Sequence, residues 1–134
     1  IYNMNVGYEL ELSDGWYKMR TCVDSCLAEA ISRKKIALNT KLLICNSELV
    51  NMFSSAYHPL ELPQGVRLKI HGNSTRIVSY ETKLGFCKIP HSFLISVDSI
   101  SSDGGVIGRL KLFITHVYTI VYVESNGEKK GKFR

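Results

Sequence analysis

Three pairs of basic residues, Lys18 and Arg20, Arg67 and Lys69, and Arg109 and Lys111, carry the clearest chemistry in this chain. Within each pair the residues stand two apart in a run that reads as a strand, and a strand turns such residues to one face. Cations spaced along a strand face follow phosphates or carboxylates, so the pairs mark candidate contacts for nucleic acid or for an acidic partner. The same arrangement fits an ordinary solvent-facing sheet surface, and no exposed aromatic residue clearly interleaves with the pairs to stack on bases.

Other chemistries find no constellation. Cys22, Cys26, Cys45 and Cys87, with His58, His71, His91 and His116, form no Cys-x-x-Cys or His-x-x-x-His pair, so neither metal nor cofactor is expected. The thiols lack the density and clustering of a disulfide scaffold and are expected to stay reduced. Nothing groups a nucleophile with a base and an orienting acid, which argues against an enzyme. Gly104-Gly105-Val106-Ile107-Gly108 looks like a phosphate cradle only superficially. It precedes a strand-like run, so no helix N-terminus stands ready for phosphate, and it is expected to lead into a hairpin. The sequon Asn73-Ser74-Thr75 reads as a turn.

The elements that must position these residues are short strands. Ser13-Asp14-Gly15 is a polar corner between two alternating runs, with a side-chain acceptor and a glycine for positive φ, and Trp16 is expected to lay its ring against whatever the hairpin covers. Asp14, Gly15 and Trp16 are therefore assigned to a structural turn. Strands are expected over Val6–Leu12, Trp16–Val23, Lys41–Cys45, Val66–His71 and Arg109–Val123, the last long enough to bend or bulge. Asp24 is a plausible N-cap for a short helix through Ile31. The stretch between Gly72 and Gly105 shows little period, and Leu84, Phe86, Phe93, Leu94 and Ile95 are expected to pin it to the body as a satellite core.

Regularly spaced short strands suit an antiparallel sandwich or a small barrel, and the pattern alone does not choose. The length of 134 residues fits one core, and the net charge of +5 favours an acidic partner. Lys129, Lys130, Lys132 and Arg134 supply four of the positives, which leaves the body only mildly basic. No apolar run is long enough to span a membrane, and the chain opens on Ile1 without a leader, as expected of a portion of a longer protein.

Five motifs in order carry a resemblance. They are Glu11-Leu12-Ser13-Asp14-Gly15-Trp16-Tyr17, Pro59-Leu60-Glu61, Leu68 to Arg76, Thr82-Lys83-Leu84-Gly85-Phe86 and Ser102-Asp103-Gly104-Gly105. Together they resemble the first OB-fold domain of the breast cancer type 2 susceptibility protein family, over about Tyr8 to Glu124. Where that family tends to carry glycine this chain has Asn39 and Asn46, the next-best residue for a left-handed backbone. A tryptophan of the family corresponds to Tyr80.

The resemblance implies an all-β, five-stranded OB-fold barrel with one or two short helices over residues 1–124, then a basic linker over 125–134 toward a following domain. It implies a nuclear recombination mediator that loads a RecA-type recombinase onto single-stranded DNA during double-strand break repair. In that family this domain binds a small acidic, largely extended protein, the split-hand/split-foot deletion protein, while later OB folds carry much of the DNA binding. An autonomous single-strand-binding protein is the alternative.

Overall fold

Alternation between apolar and charged residues builds the centre of the molecule. In the computed structural model, which describes residues 2–4, 7–52, 57–88 and 91–121, β1 (Tyr2–Met4), β2 (Gly7–Ser13) and β3 (Lys18–Val23) pair antiparallel in sequence. Two further strands extend this sheet, β5 (Glu48–Val50) and β6 (Arg67–Ile70), giving the order β1-β2-β3-β6-β5 with β3 and β6 parallel. A second, two-stranded sheet joins β4 (Leu42–Ile44) to β7 (Thr75–Ile77).

Between β3 and β4 lies α1 (Ser25–Ser32), and its start is set by Asp24. One carboxylate oxygen of Asp24 accepts from the Leu27 N–H at 2.9 Å, satisfying a donor that the first turn leaves open. The other accepts from the Gly72 N–H at 2.6 Å, which ties the helix start to the end of β6. Leu27 and Ile31 of α1 pack with Leu10, Ile36 and Ile70 as the buried core, and Tyr8, Leu12, Val23, Leu42, Ile44 and Leu68 close around them. Ile70 has no exposed surface, so its burial alone contributes about 2–3 kcal/mol. Asn39 and Asn46 both take positive φ, 66° and 51°, in the turns before and after β4, the left-handed conformation that asparagine tolerates better than most residues.

Asn73 joins two motifs that lie far apart in sequence. Buried in a 3₁₀ turn (Gly72–Ser74), its side-chain amide donates to the carbonyls of Ser101 and Gly105 at 3.0 Å, and its oxygen accepts from the Ser101 N–H at 3.0 Å. A β-carbon on Gly104 would lie 2.5 Å from the Asn73 oxygen, and one on Gly105 2.2 Å from His71 Nδ1, so both positions require glycine. The Gly104-Gly105 segment is thus a close-approach loop rather than the start of a hairpin.

The expected closed five-stranded barrel is not formed by the described residues, which place seven strands in two sheets. The difference lies in the run from Arg109. Ile95 bridges Leu110, its N–H donating to the Arg109 carbonyl at 3.0 Å and its carbonyl accepting from the Lys111 N–H at 3.5 Å, but beyond this single bridge residues 111–121 join no ladder. Leu112, Phe113, Ile114, Val117, Tyr118, Ile120 and Val121 are consequently exposed. β-branched and aromatic residues favour a strand only when a neighbouring strand takes their hydrogen bonds, and among the described residues none does. The expected linker over 125–134, and the end of the expected strand at Tyr122 and Val123, lie outside the described residues. No described helix is long and apolar enough to cross a membrane.

Candidate functional site

The first two basic pairs share one surface. Cys22 is the register partner of Glu9 and Lys69, Arg20 of Glu11, and Lys69 of Glu48, so strand alternation puts Lys18, Arg20, Arg67 and Lys69 on the face opposite the core. That face also carries Glu9, Glu11 and Glu48. Lys18 pairs with Glu11 at 3.5 Å, and the half-buried Arg67 pairs closely with Glu9 while donating to the Gln64 carbonyl at 2.7 Å. Cations with carboxylates across the ladder present little net field to a phosphate backbone. Arg109 and Lys111 are exposed but lie on no strand, so the third pair does not join this surface.

Opposite in character is a groove of about 900 Å³ between the β2–β3 hairpin, β4 and the segments 82–87 and 91–94. Leu12, Leu42, Ile44 and Leu68 form much of its floor, and Lys18, Lys41, Lys83 and Arg109 stand along it against a single carboxylate, Asp14. Lys41 is held in place by the carbonyls of Tyr80 and Thr82, the latter at 2.8 Å, with its ammonium 4.8 Å from the Tyr80 ring centre. Across the loop Arg76 donates to the Leu94 carbonyl and covers the Phe93 ring at 4.4 Å. Among the described residues Lys83 and Arg109 take part in no ion pair.

The hairpin corner borders this groove. Asp14 Oδ1 accepts from the Tyr17 N–H at 2.7 Å and the Trp16 N–H at 2.9 Å, Ser13 Oγ accepts from the Gly15 N–H at 3.1 Å, and Gly15 takes φ +98°. Those two N–H donors, Tyr17 first, hold the Asp14 carboxyl below the usual aspartate range. The turn chemistry is as the sequence suggests, but the ring of Trp16 is not packed. It is 91 % exposed, because Trp16 lies beyond the last cross-strand pair, Ser13 with Lys18, where strand alternation no longer turns a side chain inward.

The expected satellite core is also only partly formed. Ile95 is buried and Phe93 half-buried, whereas Leu84 and Leu94 are exposed and Phe86 is 93 % exposed beside the groove. Lys41, Lys83 and Phe86 were not singled out as contacts in the sequence. The signal that points to two of them is Thr82-Lys83-Leu84-Gly85-Phe86, whose glycine takes φ +101° and turns the loop. All four cysteines are free thiols, and no group of His, Cys, Asp or Glu among the described residues is placed to hold a metal ion.

Comparison with known proteins agrees with this architecture. The family described as BRCA2, oligonucleotide/oligosaccharide-binding, domain 1 matches residues 2–88. Two Arabidopsis thaliana proteins, BREAST CANCER SUSCEPTIBILITY 2 homologs B and A, are 31% and 30% identical over 131 residues. Each match covers 94% of this chain and 11% of the relative's length. A mostly β domain with one α-helix among the described residues, matched through all the strands described above, belongs to the BRCA2 family as its first oligonucleotide/oligosaccharide-binding domain.

Proposed function

We propose that this domain is a non-catalytic module of a nuclear homologous-recombination mediator, serving first as a scaffold for a small acidic protein and second as a weak single-stranded DNA contact. Membership of the BRCA2 family carries the recombination and repair part of this reading. The partner by family resemblance is the split-hand/split-foot deletion protein. Engagement of a RecA-type recombinase belongs to other parts of the longer protein, of which this chain matches only 11% in its relatives. The observation that favours an anionic partner is the groove, where Lys41, Lys83 and Arg109, in no ion pair among the described residues, stand above an apolar floor with Asp14 as the one carboxylate of the lining. An acidic chain with aliphatic or aromatic side chains satisfies both features, whereas a phosphate backbone satisfies the charge alone.

The family's barrel supplies a further part of the reading. Residues 110–121 are β-branched and aromatic, and leaving that much apolar surface in water is costly, so we read them as the strand that completes the barrel. Amide hydrogen exchange tests this directly: protection over residues 111–121 is expected, and exchange at unstructured rates rejects closure.

Thermal melts with saturating acidic partner and with saturating oligonucleotide test the scaffold reading. The partner is expected to raise the melting temperature more, by mass action on the folded state. An equal or smaller shift hands the domain to the alternative, an autonomous single-strand-binding module.

A further inference from the structure

We propose that Ser79 is a phosphoryl-acceptor site for an arginine-directed protein kinase, and that its phosphate draws Lys41 away from the groove. The regulatory half rests on the reading of the groove as a surface for an anionic partner, and the acceptor site itself does not.

Arg76-Ile77-Val78-Ser79 is the one place in this chain where an arginine stands three residues before a serine or threonine, and an aromatic residue, Tyr80, follows the hydroxyl. A kinase with carboxylates in its substrate cleft reads such an arginine through paired charge-assisted hydrogen bonds, which a planar guanidinium matches and an ammonium does not. Spacing by itself is a weak signal.

The fold supplies the access that the spacing leaves open. Arg76, Ser79 and Tyr80 are all exposed, and Ser79 lies past the end of β7, beyond the bond from the Val78 N–H to the Lys41 carbonyl at 3.0 Å. β7 is a three-residue strand of a two-stranded sheet, so drawing residues 76–80 into a kinase cleft breaks few hydrogen bonds. Arg76 exchanges its contacts with the Leu94 carbonyl and the Phe93 ring for the carboxylates of the enzyme. In the transfer, the Ser79 oxygen bonds to the γ-phosphorus of ATP as the bond to the β-phosphate oxygen breaks. ADP leaves with that electron pair, and the hydroxyl proton passes to the kinase's catalytic aspartate.

One peptide group links the acceptor to Lys41. The Glu81 N–H donates to Ser79 Oγ at 3.4 Å, and the Tyr80 carbonyl of the same peptide accepts from the Lys41 ammonium, which also holds the Thr82 carbonyl at 2.8 Å. A phosphate on Ser79 brings about 1.5 to 2 negative charges to that peptide, and a dianion outcompetes neutral carbonyls for an ammonium. Lys41, Val78 and Thr82 line the groove, so the new charge falls at its rim and opposes an anionic occupant.

The chain, its Ser79→Ala, Arg76→Lys and Lys41→Gln variants, and a peptide of residues 73–82 are incubated with the catalytic subunit of cyclic-AMP-dependent protein kinase and magnesium ATP. Mass spectrometry is expected to place a phosphoryl group on Ser79, to find none in Ser79→Ala, and to show incorporation roughly tenfold or more slower in Arg76→Lys, the loss of a bidentate charged contact. Modification of the peptide but not of the folded chain overturns the site, as does incorporation unchanged by Ser79→Ala or by Arg76→Lys. Phosphorus resonance reads the Lys41 contact with no ligand present. The phosphate of the folded chain is expected to take up its second proton at lower pH than that of the peptide, which carries the same Glu81, and Lys41→Gln is expected to erase the difference. Identical titration of chain and peptide overturns the contact. Anisotropy with labelled polyglutamate and labelled oligothymidine reads the regulation: phosphorylation is expected to weaken both by up to roughly fivefold at low salt, the range of one exposed ion pair. Undiminished affinity after phosphorylation overturns the regulation. If the unmodified chain binds neither probe, the reading of the groove fails, and the acceptor site is decided by mass and its Lys41 contact by phosphorus resonance.

Discussion

The outer face of the five-stranded sheet and the rim of the groove both carry four basic residues, yet they differ in what stands beside them. On the sheet face, Lys18, Arg20, Arg67 and Lys69 alternate across the ladder with Glu9, Glu11 and Glu48. Along the groove, Lys41, Lys83 and Arg109 take part in no ion pair among the described residues and Asp14 is the one carboxylate of the lining, while Lys18 is paired with Glu11. Lys18 belongs to both. A cation therefore marks a binding surface through its cross-strand neighbours rather than by its own presence, because a carboxylate in register cancels most of its field at the distance of a ligand.

Breaking the pairing on the sheet face should have the largest effect. Glu9→Ala leaves the half-buried Arg67 guanidinium without its carboxylate, and a stability loss of about 2 kcal/mol is expected in urea melts, between the values for surface and buried pairs. A loss under about 0.5 kcal/mol would show that the pair behaves as exposed, and the contrast between the surfaces would weaken. Next comes a direct comparison of cations by anisotropy across a salt series. Lys83→Ala with Arg109→Ala should lower single-stranded DNA affinity roughly tenfold and reduce the salt slope by about 1.4, two contacts at about 0.7 each. Arg20→Ala with Lys69→Ala should change affinity less than about twofold, and the reverse order would move the interface to the sheet face.

Smaller still is the effect of Trp16→Ala on folding. A ring this exposed should cost less than about 0.5 kcal/mol in denaturant melts, against about 3–5 kcal/mol for a buried tryptophan. The subtlest test concerns Asp14, whose folded pKa is depressed by the Tyr17 and Trp16 N–H groups. Its contribution to corner order is fully present above the ordinary aspartate value and is lost as pH falls through the lower folded value. Trp16 emission should therefore stay constant at neutral pH and shift only below about pH 4, and Asp14→Asn should abolish that transition.

Much of the scaffold is legible in local residues. Alternation around Tyr8, Leu10 and Leu12 marks β2, the Leu68 and Ile70 pair marks β6, Asp24 announces α1, and Asn39 and Asn46 mark left-handed turns. Three-residue β5 and β7 carry too few positions for a period, so they emerge only from their partners β6 and β4. Arg109 and Lys111 lie on no strand, whereas the first two basic pairs are equally legible as cations on one face. Their neutralisation is not, because Glu9 and Glu48 reach that face through pairings between segments that the sequence separates by tens of residues.

By itself, then, the sequence determined the family, the hairpin corner at Asp14 and Gly15, the capped helix and the identity of the core strands, since each follows from neighbouring residues and short-range backbone preference. Tertiary structure alone decided that Asn73 clasps the loop at Ser101–Gly105, that Arg67 is taken up by Glu9, and that Trp16 and Phe86 stand in solvent beside an electropositive groove. It also decided that residues 111–121 join no ladder among the described residues. The physical reason is common to all of these. Strand propensity, charge and ring size belong to single residues, whereas pairing, neutralisation and exposure are properties of whichever segment the folded chain brings alongside.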